Sequence, residues 1–315
     1  MRHQNVVVLG GSGFIGASLV NRLVQDGRNV RVPVRRLAKA RHLLIHSTVD
    51  VVETNLGDEA SLAAMLRGQD AVINLVGILQ GRAEDFERAH VELTRRVLAA
   101  CATVGVRRYQ HMSALGADAS GPSMYQRSKG RAEALVRESA LDWTIFRPSV
   151  VFGAGDRFLN MFASLARIAP VLPIGGAEVR FQPVWVGDVA AAFANTLDHP
   201  LSFGRSYDLA GPRVYSLREL VSFAARASGH PRPVIALPDA VARLQARLME
   251  LAPGEPLLSR DNLDSMKVNN IAPPGWSPAP ELGLAHATLE IEATPYLASH
   301  SRQGHFSNLR SRAGR

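Results

Sequence analysis

The chain has 315 residues, enough to bury a substantial core, and its balance of apolar and charged residues is that of an ordinary globular protein. Lys and Arg outnumber Asp and Glu by 36 to 28, a formal charge of +8 that favours anionic partners such as nucleotides or acidic lipid surfaces. The charge is scattered, and no zinc-ligand cysteine spacing, recognition-helix pattern or aromatic RNA motif accompanies it, so nucleic acid is excluded as the expected partner. The single cysteine, Cys101, rules out an internal disulfide framework and suits a reducing cytosol. The ten histidines show no metal-ligand spacing, so no metal is expected, and His3, His111, His230 and His305 read as structural or surface residues. The first strand starts close behind Met1, with no room for a signal peptide, and no apolar run approaches the roughly 20 residues of a membrane span. The expectation is a cytoplasmic protein without a transmembrane segment, any membrane association being peripheral, on the inner face.

Val6 to Leu9 form an apolar run that reads as a strand covered on both faces. It leads into Gly10-Gly11-Ser12-Gly13-Phe14-Ile15-Gly16 and then an amphipathic helix carrying Phe14, Leu19 and Leu23. Gly10, Gly13 and Gly16 stand where a tight turn, close backbone approach and tight helix packing each exclude a Cβ. A pyrophosphate would sit on the unpaired N–H groups of the helix N-terminus, beside Phe14 and Ile15. Strand, turn and helix supply the context that a three-glycine spacing alone lacks.

After the turn at Asp26-Gly27, Val30 to Val34 reads as a second strand, with Pro33 awkward for a central position. Arg35 stands where an NAD-preferring site would put an acid for the ribose hydroxyls, and Arg36, Lys39 and Arg41 follow. An arginine there can hold the 2′-phosphate of NADP, which makes Arg35 and Arg36 candidate ligands; a solvated basic turn is the plain alternative. Val49 to Glu53 is a third strand and Ala71 to Leu75 a fourth, with a helix over 59–67 between them. This alternation predicts a parallel sheet wrapped by helices, with ligand beyond the C-terminal strand ends. Asp58 reads equally as an adenine-side contact or a helix cap, and the Asn74-Leu75-Val76-Gly77 turn, through Asn74, Val76 and Gly77, as a contact near the nicotinamide ribose.

One long helix is expected over 84–104, with Phe86, Val91, Leu98 and Cys101 on its apolar side and Gly105 at its end. A fifth strand, around 109–112, delivers Ser113 to the ligand edge. Tyr125 and Lys129, four apart at the opening of the next helix, fall on one helical face. A free phenol, with pKa about 10, is a poor proton shuttle at neutral pH, and a neighbouring ammonium would lower it. Ser113, Tyr125 and Lys129 are therefore the candidate catalytic residues. Strand six, 143–146, leads into Arg147-Pro148, and Pro148 fixes a bend beside the expected nicotinamide. An excursion follows, with a helix over 158–168 and a return over 179–186. Asp188 is expected to cap the next helix, Ser216-Leu217-Arg218-Glu219 to form a capping box, and Val241, Leu244, Leu248 and Leu251 to face a core. A last short helix is expected to run through Leu289.

With the glycine turn, Asn74 to Gly77, His111-Met112-Ser113-Ala114-Leu115-Gly116, Tyr125 to Lys129, Arg147 to Gly153, Gln182-Pro183-Val184 and Asp188-Val189-Ala190, the chain resembles the short-chain dehydrogenase/reductase superfamily over residues 5 to about 297. Within it, the chain is similar to the atypical, epimerase/dehydratase-like group that includes the 39 kDa accessory subunit of respiratory complex I and its bacterial relatives. The resemblance implies an α/β fold: a Rossmann-type doubly wound parallel sheet at 1–210, with an excursion at 156–181, a smaller, mostly helical C-terminal lobe at 211–299 and a basic, disordered tail at 300–315. It implies NADP(H), with NAD(H) as the alternative, Arg35 on the 2′-phosphate and Lys129 on the nicotinamide ribose. Ser113 lies closer to the tyrosine than in the sugar epimerases, which implies a shifted triad. Three functions stay open: an oxidoreductase acting on the carbonyl or hydroxyl of a small-molecule substrate, with a link to quinone or respiratory metabolism; a non-catalytic nucleotide-holding subunit docked on a membrane-associated redox complex; and, least favoured because the C-terminal lobe has no evident basic pair for a diphosphate, a sugar-nucleotide epimerase or dehydratase.

Overall fold

Val6 to Leu9 are completely removed from solvent, as a strand covered on both faces must be. The computed structural model describes residues 2–251, 254 and 256–298, so the tail expected at 300–315, and His305 with it, lie outside the described residues. The chain divides into two units, the first comprising 2–148, 187–209 and 274–285. In it, β1 (Asn5–Leu9), β2 (Asn29–Val34), β3 (Val49–Glu53), β4 (Ala71–Asn74), β5 (Arg108–Met112), β6 (Asp142–Pro148) and a seventh strand, Arg205–Leu209, form one sheet. All its pairings are parallel. Across the sheet the order is Arg205–Leu209, β6, β5, β4, β1, β2, β3. The strand order reverses between β1 and β4, and the crevice this opens at their C-terminal ends is where such sheets bind ligands.

Helices α1 (Phe14–Gln25), α2 (Glu59–Leu66), α3 (Ala83–Phe86), α4 (Leu93–Val104) and α5 (Met124–Glu138) alternate with the strands. On one face Val7, Leu9, Val72, Tyr109 and Ile145 pack with Leu62 and Leu66 of α2, Val97 and Cys101 of α4 and Val136 of α5. On the other lie α1 and the helix Val186–Thr196, where Phe193 meets Phe146 at 4.1 Å between ring centroids and Arg22 donates to Asn195. Each large side chain buried this way contributes about 1.5–3 kcal/mol. Burial also raises the Cys101 thiol to about 12, which makes it inert.

Several expectations need correction. The helix expected over 84–104 runs unbroken from Ala83 to Val104, but its stretch Glu87–Glu92, between α3 and α4, is π-helical. Pro33 is tolerated inside the sheet because the β1 pairing of β2 ends two residues earlier, at Arg31. The strand Arg205–Leu209 had no sequence signal: it forms the sheet edge, so its exposed first half carries no apolar alternation. Asp188, expected to cap the next helix, lies in the first turn of Val186–Thr196 and accepts from the Ala285 N–H.

The second unit comprises 149–186, 210–273 and the chain from His286. The excursion expected at 156–181 thus groups with the C-terminal segments. Helices Phe158–Ile168, Leu217–Ala227 and Leu289–Ala298 close a core around Phe152, Leu159, Leu220 and Val221. Ser216 and Glu219 form the expected capping box. The last helix starts at Leu289 instead of ending there. In Asp239–Leu251 the residues turned inward are Ala242 and Ala246, while Val241, Leu244, Leu248 and Leu251 are exposed. No helix among the described residues is long and apolar enough to cross a membrane.

The turn after β1 is packed backbone against backbone. Gly10 adopts φ +79°, and a Cβ on Gly16 would lie 2.2 Å from the Gly10 carbonyl oxygen. Gly16→Ala therefore forces backbone apart, at about 3 kcal/mol, and a thermal melt should show Tm lowered by several degrees. An unchanged Tm would mean that the turn is looser than described.

Candidate functional site

The crevice is bounded on one side by the glycine turn. Gly13 is the N-cap of α1 and no side chain caps the helix, so the first-turn N–H groups at Phe14, Ile15 and Gly16 face outward with the positive end of the helix dipole. A Cβ on Gly10 would meet the Leu75 carbonyl carbon and Val76 nitrogen at 3.2 and 3.3 Å, which fixes the glycine turn against the turn after β4. A Cβ on Gly13 would meet only the Gly10 oxygen, at 3.3 Å. Chain packing therefore explains Gly10 and Gly16, whereas Gly13 leaves the helix end open for an anion, and the cradle fits a pyrophosphate.

Arg35 is exposed in the bend after β2, and Arg36 precedes the 3₁₀ turn Leu37–Leu43. Among the described residues neither has a carboxylate within ion-pair distance. Asp58 accepts from the Ser61 N–H and caps α2, so the capping alternative is realised; that hydrogen bond also lowers the pKa of its carboxyl. Asn74 is turned into the protein: its Oδ1 accepts from the Val76 N–H at 3.1 Å and its Nδ2 donates to Tyr109 Oη at 3.1 Å. Its side chain shapes the turn that presents Val76 and Gly77. Pro148, at the end of β6, accepts from the Leu115 N–H and holds the Ser113–Leu115 segment alongside.

At the reactive end, α5 opens with a Ser123–Gln126 capping box, which places Tyr125 and Lys129 in its first turns. Lys129 is 4% exposed and donates to the Met112 carbonyl oxygen at 2.9 Å. A Cβ on Gly77 would come 3.2 Å from its Nζ, so glycine is what lets the ammonium reach the crevice. Burial pulls the Lys129 pKa down to about 8, against the charge of Glu133 one turn further along. Tyr125 keeps part of its surface open to solvent, yet its ring is packed edge-on against Phe86 and His90, and burial pushes the phenol up to about 12. The expected lowering by Lys129 is not realised in this arrangement, because desolvation outweighs an ammonium that is turned to the Met112 carbonyl.

His90 is the main residue the sequence reading missed. Its Nε2 accepts from the Ile78 N–H at 3.0 Å, which leaves the proton on Nδ1 to donate to Ser128 Oγ at 2.8 Å. Ser128 Oγ in turn donates to the Tyr125 carbonyl oxygen. The imidazole is held neutral, its pKa drawn down to about 2 by burial and by the charge of Lys129. It ties the Gly77 turn to the helix carrying Tyr125 and Lys129. The π segment that carries it is a feature often found at functional sites.

Ser113 and His111 are both buried at the end of β5. Tyr109 Oη lies 3.3 Å from His111 Nδ1, while His111 Nε2 has no hydrogen-bond partner and burial keeps this histidine well below its ordinary pKa. The Ser113 hydroxyl faces Glu133 too loosely for a well-formed hydrogen bond. Burial pushes the Glu133 carboxyl up, but the paired hydrogen bonds from Arg147 at 2.8 and 2.6 Å, the Ser113 hydroxyl and the charges of Arg147 and Arg137 outweigh it and hold the pKa below the usual value. Among the described residues no group of three His, Cys, Asp or Glu side chains could hold a metal ion.

A family model described as NAD(P)H-binding matches residues 10–156. NADH dehydrogenase (ubiquinone) 1 alpha subcomplex subunit 9 of Rattus norvegicus is 30% identical over 300 residues, covering 93% of this chain and 79% of that protein. A ceramide reductase of Caulobacter vibrioides is 30% identical over 236 residues, covering 74% of each. Among solved structures, a dTDP-glucose 4,6-dehydratase of Streptomyces venezuelae with NAD bound superposes with TM-score 0.69 at 18% identity, covering 93% of this chain and 95% of that one, a likeness of fold alone. The chain belongs to the atypical short-chain dehydrogenase/reductase family that includes the complex I 39 kDa subunits, and it is an NAD(P)H-binding protein of Rossmann-type fold.

Proposed function

We propose that this protein is an NADPH-preferring reductase of a small carbonyl compound, with Tyr125 as proton donor, Lys129 as the group that holds the nicotinamide ribose, and Ser113 as the residue that orients the substrate oxygen. The observation that carries this reading is the buried Lys129 ammonium, brought up to Gly77 on the same helical face as Tyr125. Bound nicotinamide supplies the hydride. Tyr125 Oη, protonated at neutral pH because burial raises the phenol, is the donor of a proton to the forming alkoxide. Ser113 Oγ has donor capacity for the same oxygen. Arg35, exposed and without an acidic partner among the described residues, is the ligand of the 2′-phosphate, with Arg36 beside it.

A second reading, a subunit that holds its nucleotide permanently within a membrane-associated redox complex, is supported by the naming of relatives that match nearly the whole chain as NADH dehydrogenase subunits. In that role the protein would sit at the inner membrane face. Nucleotide that survives dialysis, with no turnover on any carbonyl tested, supports this second reading.

Three results test the first reading. Tyr125→Phe should lower kcat by roughly 10²-fold or more while leaving NADPH affinity within about twofold; equal turnover in both proteins would remove Tyr125 from the chemistry. Arg35→Ala should weaken NADPH binding about 10-fold, as expected for one exposed charge-assisted contact, and leave NADH unchanged in calorimetry. An unaltered NADPH to NADH ratio counts against the 2′-phosphate assignment. Lys129 carries its charge below about 8, so the reductive rate should stay flat up to that pH and fall above it, and Lys129→Arg should remove the falling limb. A rate that instead rises through pH 8–9 would assign Tyr125 the role of a base.

A further inference from the structure

Helix Asp239–Leu251 carries the clearest mismatch between sequence pattern and burial in the molecule. Val241, Leu244, Leu248 and Leu251 are 47%, 58%, 60% and 77% exposed, although they recur at the spacing of a core-facing stripe. The helix is held to its own unit by small residues: a Cβ on Gly175 would lie 2.6 Å from the Ala242 Cβ. Ala242 and Ala246 pack there with Leu237, Leu258, Leu263 and Met266. That close approach sets the rotation of the helix about its axis and turns Val241, Leu244, Leu248 and Leu251 outward.

At 100° per residue the four exposed side chains fall within an arc of about 80°, roughly opposite Ala242 and Ala246. The acids of this helix, Asp239 and Glu250, fall on the other side and are engaged by Arg243 and Arg260. Arg247 flanks the apolar stripe, exposed and without a carboxylate in ion-pair range among the described residues. The outer half of the helix is thus apolar at its centre, basic at one edge and free of acid.

We propose that this face docks the protein on an anionic lipid surface, with Val241, Leu244, Leu248 and Leu251 entering the headgroup boundary and Arg247 pairing with lipid phosphate. The charge at this face selects the occupant: its edge carries Arg247 and no acid, which complements an anionic bilayer and offers the same basic-edged face of a second copy no group of opposite sign. Residues 299–315 contain only Phe306 and Leu309 as large apolar side chains, too few to cover four, and their arginines act in the same direction as Arg247. A convex helix with an apolar stripe and a basic edge is the form that interfacial helices take. This inference does not depend on the nucleotide reading.

The test is co-sedimentation of the full-length protein with vesicles of phosphatidylcholine alone and of phosphatidylcholine with 30% phosphatidylglycerol, at low and high salt. The wild-type protein should partition onto the anionic vesicles, and salt should weaken that binding. Leu244→Ser with Leu248→Ser should weaken it by about 10-fold or more, since two apolar side chains no longer enter the boundary. Arg247→Glu should weaken binding to anionic vesicles only. All three substituted side chains are exposed, so Tm and NADPH affinity should stay unchanged in both variants, which separates a docking defect from misfolding and from failure of the nucleotide assignment. Wild-type protein that leaves both vesicle types unbound, or variants that bind as the wild type does, would overturn the proposal. So would a dimer in sedimentation analysis that the leucine variants dissolve without any vesicle binding, because the occupant would then be a second copy.

Discussion

The constraint on which the first unit depends is the contact between the glycine turn and the start of α1. A Cβ on Gly16 would stand 2.2 Å from the Gly10 carbonyl oxygen, and one on Gly10 would press on the Leu75–Val76 peptide. Helix, first strand and fourth-strand turn therefore approach with no side chain between them. That approach brings the uncapped N-terminus of α1 to the point where the strand order reverses, so that a dipole end, free N–H groups and the open backbone at Gly13 share one location.

At the opposite end of the crevice the limiting quantity is desolvation. Lys129 is buried with one backbone acceptor, Tyr125 is raised by its surroundings, and two neutral histidines lie close by. A buried ammonium is tolerated there because Glu133, one turn along α5, offsets part of its cost, and Glu133 is in turn held by Arg147 and Arg137. The charges thus form a chain from the crevice to the end of β6, and Glu133 is the member whose loss would leave Lys129 without its offsetting charge. His90 supplies the mechanical link, one imidazole bonded to the turn after β4 and to the helix of Tyr125. Perturbed groups gathered in one crevice mark a working site more strongly than any of them singly.

The second unit follows different rules. Its helices Phe158–Ile168 and Leu217–Ala227 bury conventional apolar faces, whereas Asp239–Leu251 is pulled in by alanines against a glycine and turns its leucines out. Periodicity reports that a helix has an apolar stripe and says nothing of which stripe meets the core. Here the small residues win, because only they permit the close approach to the strand Leu172–Gly175.

The order of strands and helices, the glycine turn, the capping box at Ser216 and the pairing of Tyr125 with Lys129 were all legible in the chain, because each rests on local periodicity or on residues within one or two turns of each other. The edge strand Arg205–Leu209 was not, since an edge has no buried face to imprint an alternation. The π segment at Glu87–Glu92, and with it the turn of His90 toward Ser128 and Ile78, was invisible because its register is set by contacts with distant residues. Likewise the commitment of Asn74 to Tyr109, the engagement of Asp188 by Ala285 and the direction of the Tyr125 pKa depend on what the rest of the fold brings alongside. Local chain chemistry determined the inner strands, most helices and the glycine turn by itself; tertiary packing decided the edge strand, which polar groups are enclosed and which faces meet water, because desolvation is a property of the assembled neighbourhood and not of the residue.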